Sequence, residues 1–377
     1  MYTRTEKHYI DSPTEAVYDQ LPKTISTIAS MNMKDLADQL GLSVSTVSKA
    51  INGRFDINEQ TRERVREAAE RANFSPDPAG RRLRLKSSDT IGFVLSAPQA
   101  HFAHPFFLDM LSGIEEELAD TPFQVIIASA RSVERELECF KRLVDKLRVD
   151  ALVFGRTRRD DPRISYLLKR KIPFVAFGRS ETPGLFPSLD IDHTVVGRDG
   201  CARFIALGHR RIALANTPGY LMLSHHHKLG YESALRAATI EPQPELYVEG
   251  EITEEGGARA AHQLLDLPCP PTAIVCGHDL MAIGVMRAIS ERGLVPGQDV
   301  GVIGGDNHPV GRLISPALTT FSAETHAAGR RMVQMLLSHL NGTPAEQLQE
   351  IWAPELIVRS SDGPKRSASA VQYRRQP

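Results

Sequence analysis

From Asp89 onward the chain alternates between short apolar runs and helical stretches, and this alternation limits the fold more than any other feature. The runs IGFVLS (91–96), FQVIIAS (123–129), ALVFG (151–155) and PFVAFG (173–178) make a first set. RIALAN (211–216), AIVCG (273–277) and GVIGGD (301–306) make a second. Strands separated by helical segments build parallel βαβ units. Two such sets predict two doubly wound α/β lobes. Ligands of open α/β sheets bind beyond the carboxyl ends of the strands. The segment RTRRDDPR (156–163) places Arg156, Asp161 and Arg163 just after one such strand, and Arg179 follows the next in FGRS. Arginine and carboxylate offer the bidentate pattern that holds a hydroxylated ligand.

The segment before Asp89 reads differently. Asn32 can cap a helix carrying Met33, Leu36, Ala37 and Leu40 at helical spacing, and Gly41 stops it. Ser43 then caps a second helix, Val44 to Ile51, ended by Asn52-Gly53. Asn58 caps a third, with Val65, Ala68 and Ala69 on one face. Helix, tight turn and second helix fit a helix-turn-helix, whose second helix enters the major groove with its first residues at the base edges. Those residues are Val44, Ser45 and Thr46, then Ser48, Lys49 and Asn52, and the two caps Asn32 and Ser43 are expected at the DNA as well. Small hydroxyls can meet phosphates or bases, Val44 can touch a thymine methyl, and Lys49 can reach guanine acceptors. Val47, Ala50 and Ile51 are left for the core. The connector SPDPAGRRLRLKSS (75–88) carries Arg81, Arg82, Arg84 and Lys86 with no acid after Asp77, which suits a segment lying along phosphates.

Composition excludes several classes. A charged fraction of 24% and a hydrophobic fraction of 41% are ordinary for a globular protein, and the net charge is -1. The four cysteines form no CxxC pair and no zinc-like set with histidine. No run reaches the roughly 18 apolar residues of a membrane span, and residues 1–30 hold no apolar signal core. A cytoplasmic protein without cofactor or metal is expected. No GxSxG, HExxH or P-loop motif points to an enzyme. The run His225-His226-His227 is not read as a metal site, since consecutive helical residues point in different directions.

The stretch MNMKDLADQLGLSVSTVSKAINGRFDINEQTRERVREAAERANFSPDPAGRRLR (31–84) resembles the head of the lactose/galactose repressor (LacI-type) family. The resemblance continues to about residue 360 through AHPFFLDMLSGIEEEL (103–118), GHRRIAL (208–214), CGHDLMAIG (276–284), VGVIGGDN (300–307) and PALTTFS (316–322). RTRRDDPR and FGRS together resemble the branch that regulates α-glucoside operons. The resemblance implies an all-α helix-turn-helix head on a periplasmic-binding-protein-like body. It implies a repressor that binds a palindromic operator as a homodimer and answers to a sugar, with an activator or a sensor of another metabolite as alternatives. It further implies that 75–88 forms a hinge helix in the minor groove, with Arg81 at the DNA and Leu83 wedged into the central base step. Asp306 matches the family's ligand-binding aspartate, Phe106 and Phe107 match its contact positions on the first helix, and His278 lies in a ligand-side turn. Two departures stand out: Gly80 replaces the usual alanine of the hinge, and His227 replaces an arginine three residues before Gly230. The expected division is a loose extension (1–30), head (31–74), hinge (75–88), body (89–360) and loose tail (361–377). Within the body, 89–189 and 318–342 are expected in the first lobe, 190–317 and 343–360 in the second. The tail has no leucine heptad, so no further assembly than a dimer is expected.

Overall fold

The computed structural model describes residues 31–51, 57–72, 74, 88–96 and 105–365. They belong to two compact units, one within 1–86 and one within 87–377. The expected extension 1–30 and the hinge up to Ser87 lie outside the described residues.

The head holds α1 (Met33–Leu40), α2 (Val44–Ile51) and α3 (Glu59–Arg71). Asn32 closes a capping box: its Oδ1 accepts from the Lys34 and Asp35 backbone N–H groups at 2.9 and 3.0 Å, while its own N–H donates to Asp35 Oδ2 at 3.0 Å. Gly41 ends α1 in the left-handed region, φ 65, where glycine carries no Cβ penalty. Ser43 Oγ accepts from the Thr46 N–H at 3.0 Å to start α2, and Asn58 accepts from the Gln60 N–H at 2.8 Å to start α3. Leu36, Ala37, Val47, Ala50, Val65 and Ala68 form the buried core of this unit. These caps and core positions are the expected ones.

The body contains two parallel sheets. The first runs in the order β11-β5-β4-β3-β1-β2, formed by β1 (Thr90–Leu95), β2 (Gln124–Ser129), β3 (Ala151–Gly155), β4 (Phe174–Phe177), β5 (Ser188–Ile191) and β11 (Gln349–Trp352). Helices α4 (Pro105–Leu118) and α11 (Thr325–Leu340) pack on one face, α5 (Glu136–Lys141) and α6 (Pro162–Arg170) on the other. The second sheet, β7-β6-β8-β9, joins β6 (Ile212–Asn216), β7 (Tyr247–Glu249), β8 (Ala273–Cys276) and β9 (Gly301–Ile303). It lies between α7 (His193–Ala206) with α8 (Met222–Ala237) and α9 (Glu254–Leu265) with α10 (Asp279–Glu291). Helices on both faces of parallel sheets make each lobe doubly wound. Glycines set the helix spacing: a Cβ on Gly197 of α7 would sit 2.0 Å from the His227 carbonyl oxygen, and one on Gly230 of α8 would sit 2.0 Å from that of Thr194.

The lobe boundaries differ from the expectation. Strand β11 pairs in parallel with β5 at the edge of the first sheet. The chain returns to the second lobe only at β12 (Glu355–Ile357), antiparallel to β10 (Thr320–Ser322). Strand β11 is an edge strand with alternate residues exposed, so it lacks the apolar run that marked the others. Nor does the tail begin at 361. Ser361 is buried and donates to the Val302 carbonyl at 2.7 Å, and the buried Asp362 accepts from Arg203 and Thr319 at 2.7 and 2.8 Å. Residues 366–377 lie outside the described residues.

Candidate functional site

The carboxyl ends of strands from both sheets open onto one cavity of about 880 Å³, including its mouth. Phe106 and Phe107 reach it from the start of α4, Arg156 from the end of β3, Phe177 and Arg179 from the end of β4, and Asp190 from β5. From the second lobe come His193, Met222, His278 and Asp306. The apolar wall is largely aromatic: Phe106 meets Phe107 edge to face at 5.3 Å and Phe177 at 5.7 Å. The Arg156 guanidinium lies 5.5 Å above the Phe107 ring. Burial pushes Arg156 down to about 10, against the pull of Asp306, so it stays cationic at neutral pH. Arg179 donates to Asp190 Oδ2 at 2.6 Å and lies 3.7 Å from Asp192. It also lies 3.3 Å from His226 Nδ1.

Asp306 is held by a second carboxylate behind it. Asp279, fully buried at the start of α10, accepts from the backbone N–H groups of Gly305, Asp306 and His308 at 2.7, 3.2 and 2.8 Å and from Thr320 Oγ1 at 2.6 Å. Its own N–H donates to Asp306 Oδ1 at 2.7 Å. These bonds fix the turn after β9 and so aim Asp306, whose Oδ2 lies 3.3 Å from His278 Nε2. Burial, then the charge of Asp306, pushes Asp279 up to about 7.

Of the residues singled out in the sequence, Phe106, Phe107, Arg156, Arg179, His278 and Asp306 come together in the cavity wall, and Asp161, Arg163 and His227 do not. Asp161 and Arg163 are turned to each other. The Arg163 Nε and a terminal nitrogen donate to Asp161 at 2.9 and 2.7 Å, and Glu136 lies 3.1 Å away. Arg163 is 1% exposed and rests against the Phe140 and Phe154 rings. Its contribution to the cavity is indirect: it donates to the Arg156 carbonyl at 2.9 Å, holding a residue whose φ of 52 lies in the left-handed region. The sequence did carry the signal, since Asp161-Pro162 is a helix cap followed by a first-turn proline. His227 is buried behind His193, bonded to Asn216 and to His193. His193, Asp190 and Phe177 were missed; the four-residue β5, broken by Asp190, gave no strand pattern.

In the head, Val44, Ser45 and Lys49 lie on the exposed face of α2, with Ser48 half-buried beside them. Asn32 is committed to its capping box, and the Ser43 and Thr46 hydroxyls bond to each other at 2.8 Å. Asn52, Arg81 and Leu83, with Gly80, lie outside the described residues. Among the described residues no cluster of three His, Cys, Asp or Glu could hold a metal ion, and no helix is long and apolar enough to cross a membrane.

Residues 32–77 match the family described as bacterial regulatory proteins, lacI family, and residues 201–361 match the periplasmic binding protein-like domain. The HTH-type transcriptional regulator AglR of Rhizobium meliloti is 35% identical over 340 residues, 89% of this chain and 95% of AglR. The chain belongs to the LacI family. The HTH-type transcriptional repressor CytR of Escherichia coli K12 is 30% identical over 331 residues, 87% of this chain and 95% of CytR. Among solved structures, the transcriptional regulator CelR–cellobiose complex has 29% identity and a TM-score of 0.69, over 88% of this chain and 99% of that one. The lac repressor dimer bound to operator and the anti-inducer ONPF has 25% identity and a TM-score of 0.75, over 88% and 98%. This LacI-family chain is therefore a DNA-binding transcription regulator, with a helix-turn-helix head and a ligand-sensing body.

Proposed function

We propose that this regulator acts in the cytoplasm as a repressor of a carbohydrate-utilisation operon, binds a palindromic operator as a homodimer, and is controlled by a neutral sugar in the cavity between its lobes. It performs no catalysis and uses no cofactor. The observation that carries the ligand assignment is the balance of the cavity wall: Arg156 and Arg179 against Asp190 and Asp306, beside three phenylalanine rings. Two guanidinium groups and two carboxylates supply donors and acceptors with no net charge, and aromatic faces suit the apolar side of a pyranose. A charged ligand would bring its own charge into a wall with no counter-charge left over for it. The solved CelR–cellobiose complex and the resemblance to α-glucoside regulators support the same class.

Calorimetry of the full chain against maltose, sucrose and trehalose, and against trehalose 6-phosphate and sucrose 6-phosphate, tests this. At least one neutral α-glucoside binds, and the phosphates bind more weakly. Binding of the phosphates alone, or more tightly, overturns the assignment. Asp306→Ala leaves two ligand hydroxyls without an acceptor, at a cost of about 1–3 kcal/mol. In footprints of the promoters flanking the gene, that variant still protects the operator but no longer responds to the sugar.

A further inference from the structure

We propose that His193 is a specificity-determining contact for the ligand: a relay running from Asn216 through His227 locks its ring in one tautomer and presents Nε2 to the cavity as an acceptor for a ligand hydroxyl. This rests on the sugar reading above.

The relay is anchored by backbone groups that cannot change role. Asn216 Oδ1 accepts from the Thr217 N–H at 3.0 Å, and Asn216 Nδ2 donates to the Ser224 carbonyl at 2.9 Å. The amide is thereby oriented, and its oxygen can only accept. His227 Nδ1, 3.0 Å from that oxygen, must carry a proton. His227 is 1% exposed, and burial, followed by the charges of its histidine neighbours, holds it well below the ordinary value. A neutral ring protonated at Nδ1 has its lone pair at Nε2. That atom lies 3.2 Å from His193 Nδ1, so His193 Nδ1 donates to it. Burial also holds His193 below the ordinary value, against the pull of Asp190, Asp192 and Asp306 and with the push of Arg179. A neutral His193 protonated at Nδ1 has its lone pair at Nε2, and His193 lines the cavity.

The consequence is chemical. A ligand hydroxyl can donate to Nε2. A ligand oxygen without a proton, as in a carbonyl, a ring ether or a phosphate, meets lone pair with lone pair. A site built to bond one hydroxyl rejects the analogue that lacks it, because the protein group is left unpaired. His227 thus acts as a positioning residue, transmitting the orientation of Asn216 to the cavity without touching the ligand.

Two measurements on the full chain test this. In the first, the chain is labelled with 15N-histidine, with the His193→Gln spectrum assigning the signal, and long-range 1H–15N correlation at pH 7.5 reads the tautomers. Both His227 and His193 are expected in the Nδ1–H form with unprotonated Nε2. An Nε2–H or imidazolium His193 overturns the proposal. In the second, calorimetry compares whichever of maltose, sucrose and trehalose binds with its monodeoxy analogues. One deoxygenation should weaken binding to wild type about 10- to 100-fold and make no difference to His193→Phe. Equal binding of all analogues to wild type, or a preference that survives in His193→Phe, overturns the contact. If none of the three sugars binds, the sugar assignment falls and the tautomer spectrum still decides the relay.

Discussion

Replacing Arg163 with methionine separates a structural arginine from a ligand contact. Methionine keeps the apolar stem against Phe140 and Phe154 and removes the guanidinium. The bonds to Asp161 at 2.9 and 2.7 Å, the pairing with Glu136 at 3.1 Å and the bond to the Arg156 carbonyl at 2.9 Å are lost together. The two carboxylates are not equally exposed to this loss. Glu136 keeps Arg158 at 2.6 Å, and Asp161 keeps the backbone N–H groups of residues 158 and 163, each at 3.0 Å. Breaking a buried pair by removing one partner costs about 3–5 kcal/mol, and the surviving bonds place this variant near 3. At about 2–4 °C per kcal/mol, the midpoint of the body's thermal transition should fall by roughly 6–12 °C. Asp161→Asn in the same background should add less than it costs alone, since its partner is already gone. Burial works to raise the Asp161 carboxyl, but the bond and charge of Arg163 outweigh it and hold it below the ordinary value. Its stabilisation is therefore complete above about pH 4 and is lost as the pH falls further, so the gap between wild type and variant should narrow in acid. Scanning calorimetry reads the midpoint. A variant that melts within 2 °C of wild type and loses only ligand affinity would refute the structural role and restore Arg163 as a contact.

Lys49 is exposed on α2; if it contacts bases, Lys49→Ala loses about 1–3 kcal/mol of discrimination between operator and scrambled DNA, whereas equal loss on both assigns it to phosphate. Stability should also fall on acidification. Burial foremost, then the charge of Arg179, pushes His226 down to about 4, and burial lowers His193, His209 and His227 as well. The unfolded chain takes up these protons near pH 6.5, so stability is complete above that and declines toward pH 4, by up to about 1.4 kcal/mol per pH unit for each histidine. Asp279, held up near 7, works in the opposite sense over the same window, one proton against four. Urea midpoints that rise between pH 7.5 and 5 would contradict this balance.

The head was legible because its signals are local. Asn32, Ser43 and Asn58 cap helices through atoms two or three residues away, and Gly41 alone suits the left-handed stop between α1 and α2. The central strands were legible because they are buried on both faces: β3 and β8 are buried at every position. Strands β5 and β11 were not. Asp190 interrupts the first to face the cavity, and the second is a sheet edge whose alternate residues meet solvent.

At the site, sequence located the right turns but could not tell which way a side chain faces there. Asp161 and Arg163 lie in the same segment after β3 as Arg156, yet the helix cap that Asp161 provides draws its carboxylate inward, and Arg163, two residues on, closes on it. One buried charge pairs with the other, and both are kept out of the cavity wall. The same reasoning explains His227. Where an arginine would carry a fixed charge, a histidine hidden behind His193 keeps a proton on one nitrogen and a lone pair on the other, and which is which depends on Asn216, 11 residues away at the end of β6. His193 lies a further 34 residues from His227 in sequence. No periodicity or motif joins these residues; only the crossing of α7 and α8 at Gly197 and Gly230 brings the two rings within bonding distance. A methyl group on either glycine would push the helices apart and break the relay before it reached the cavity.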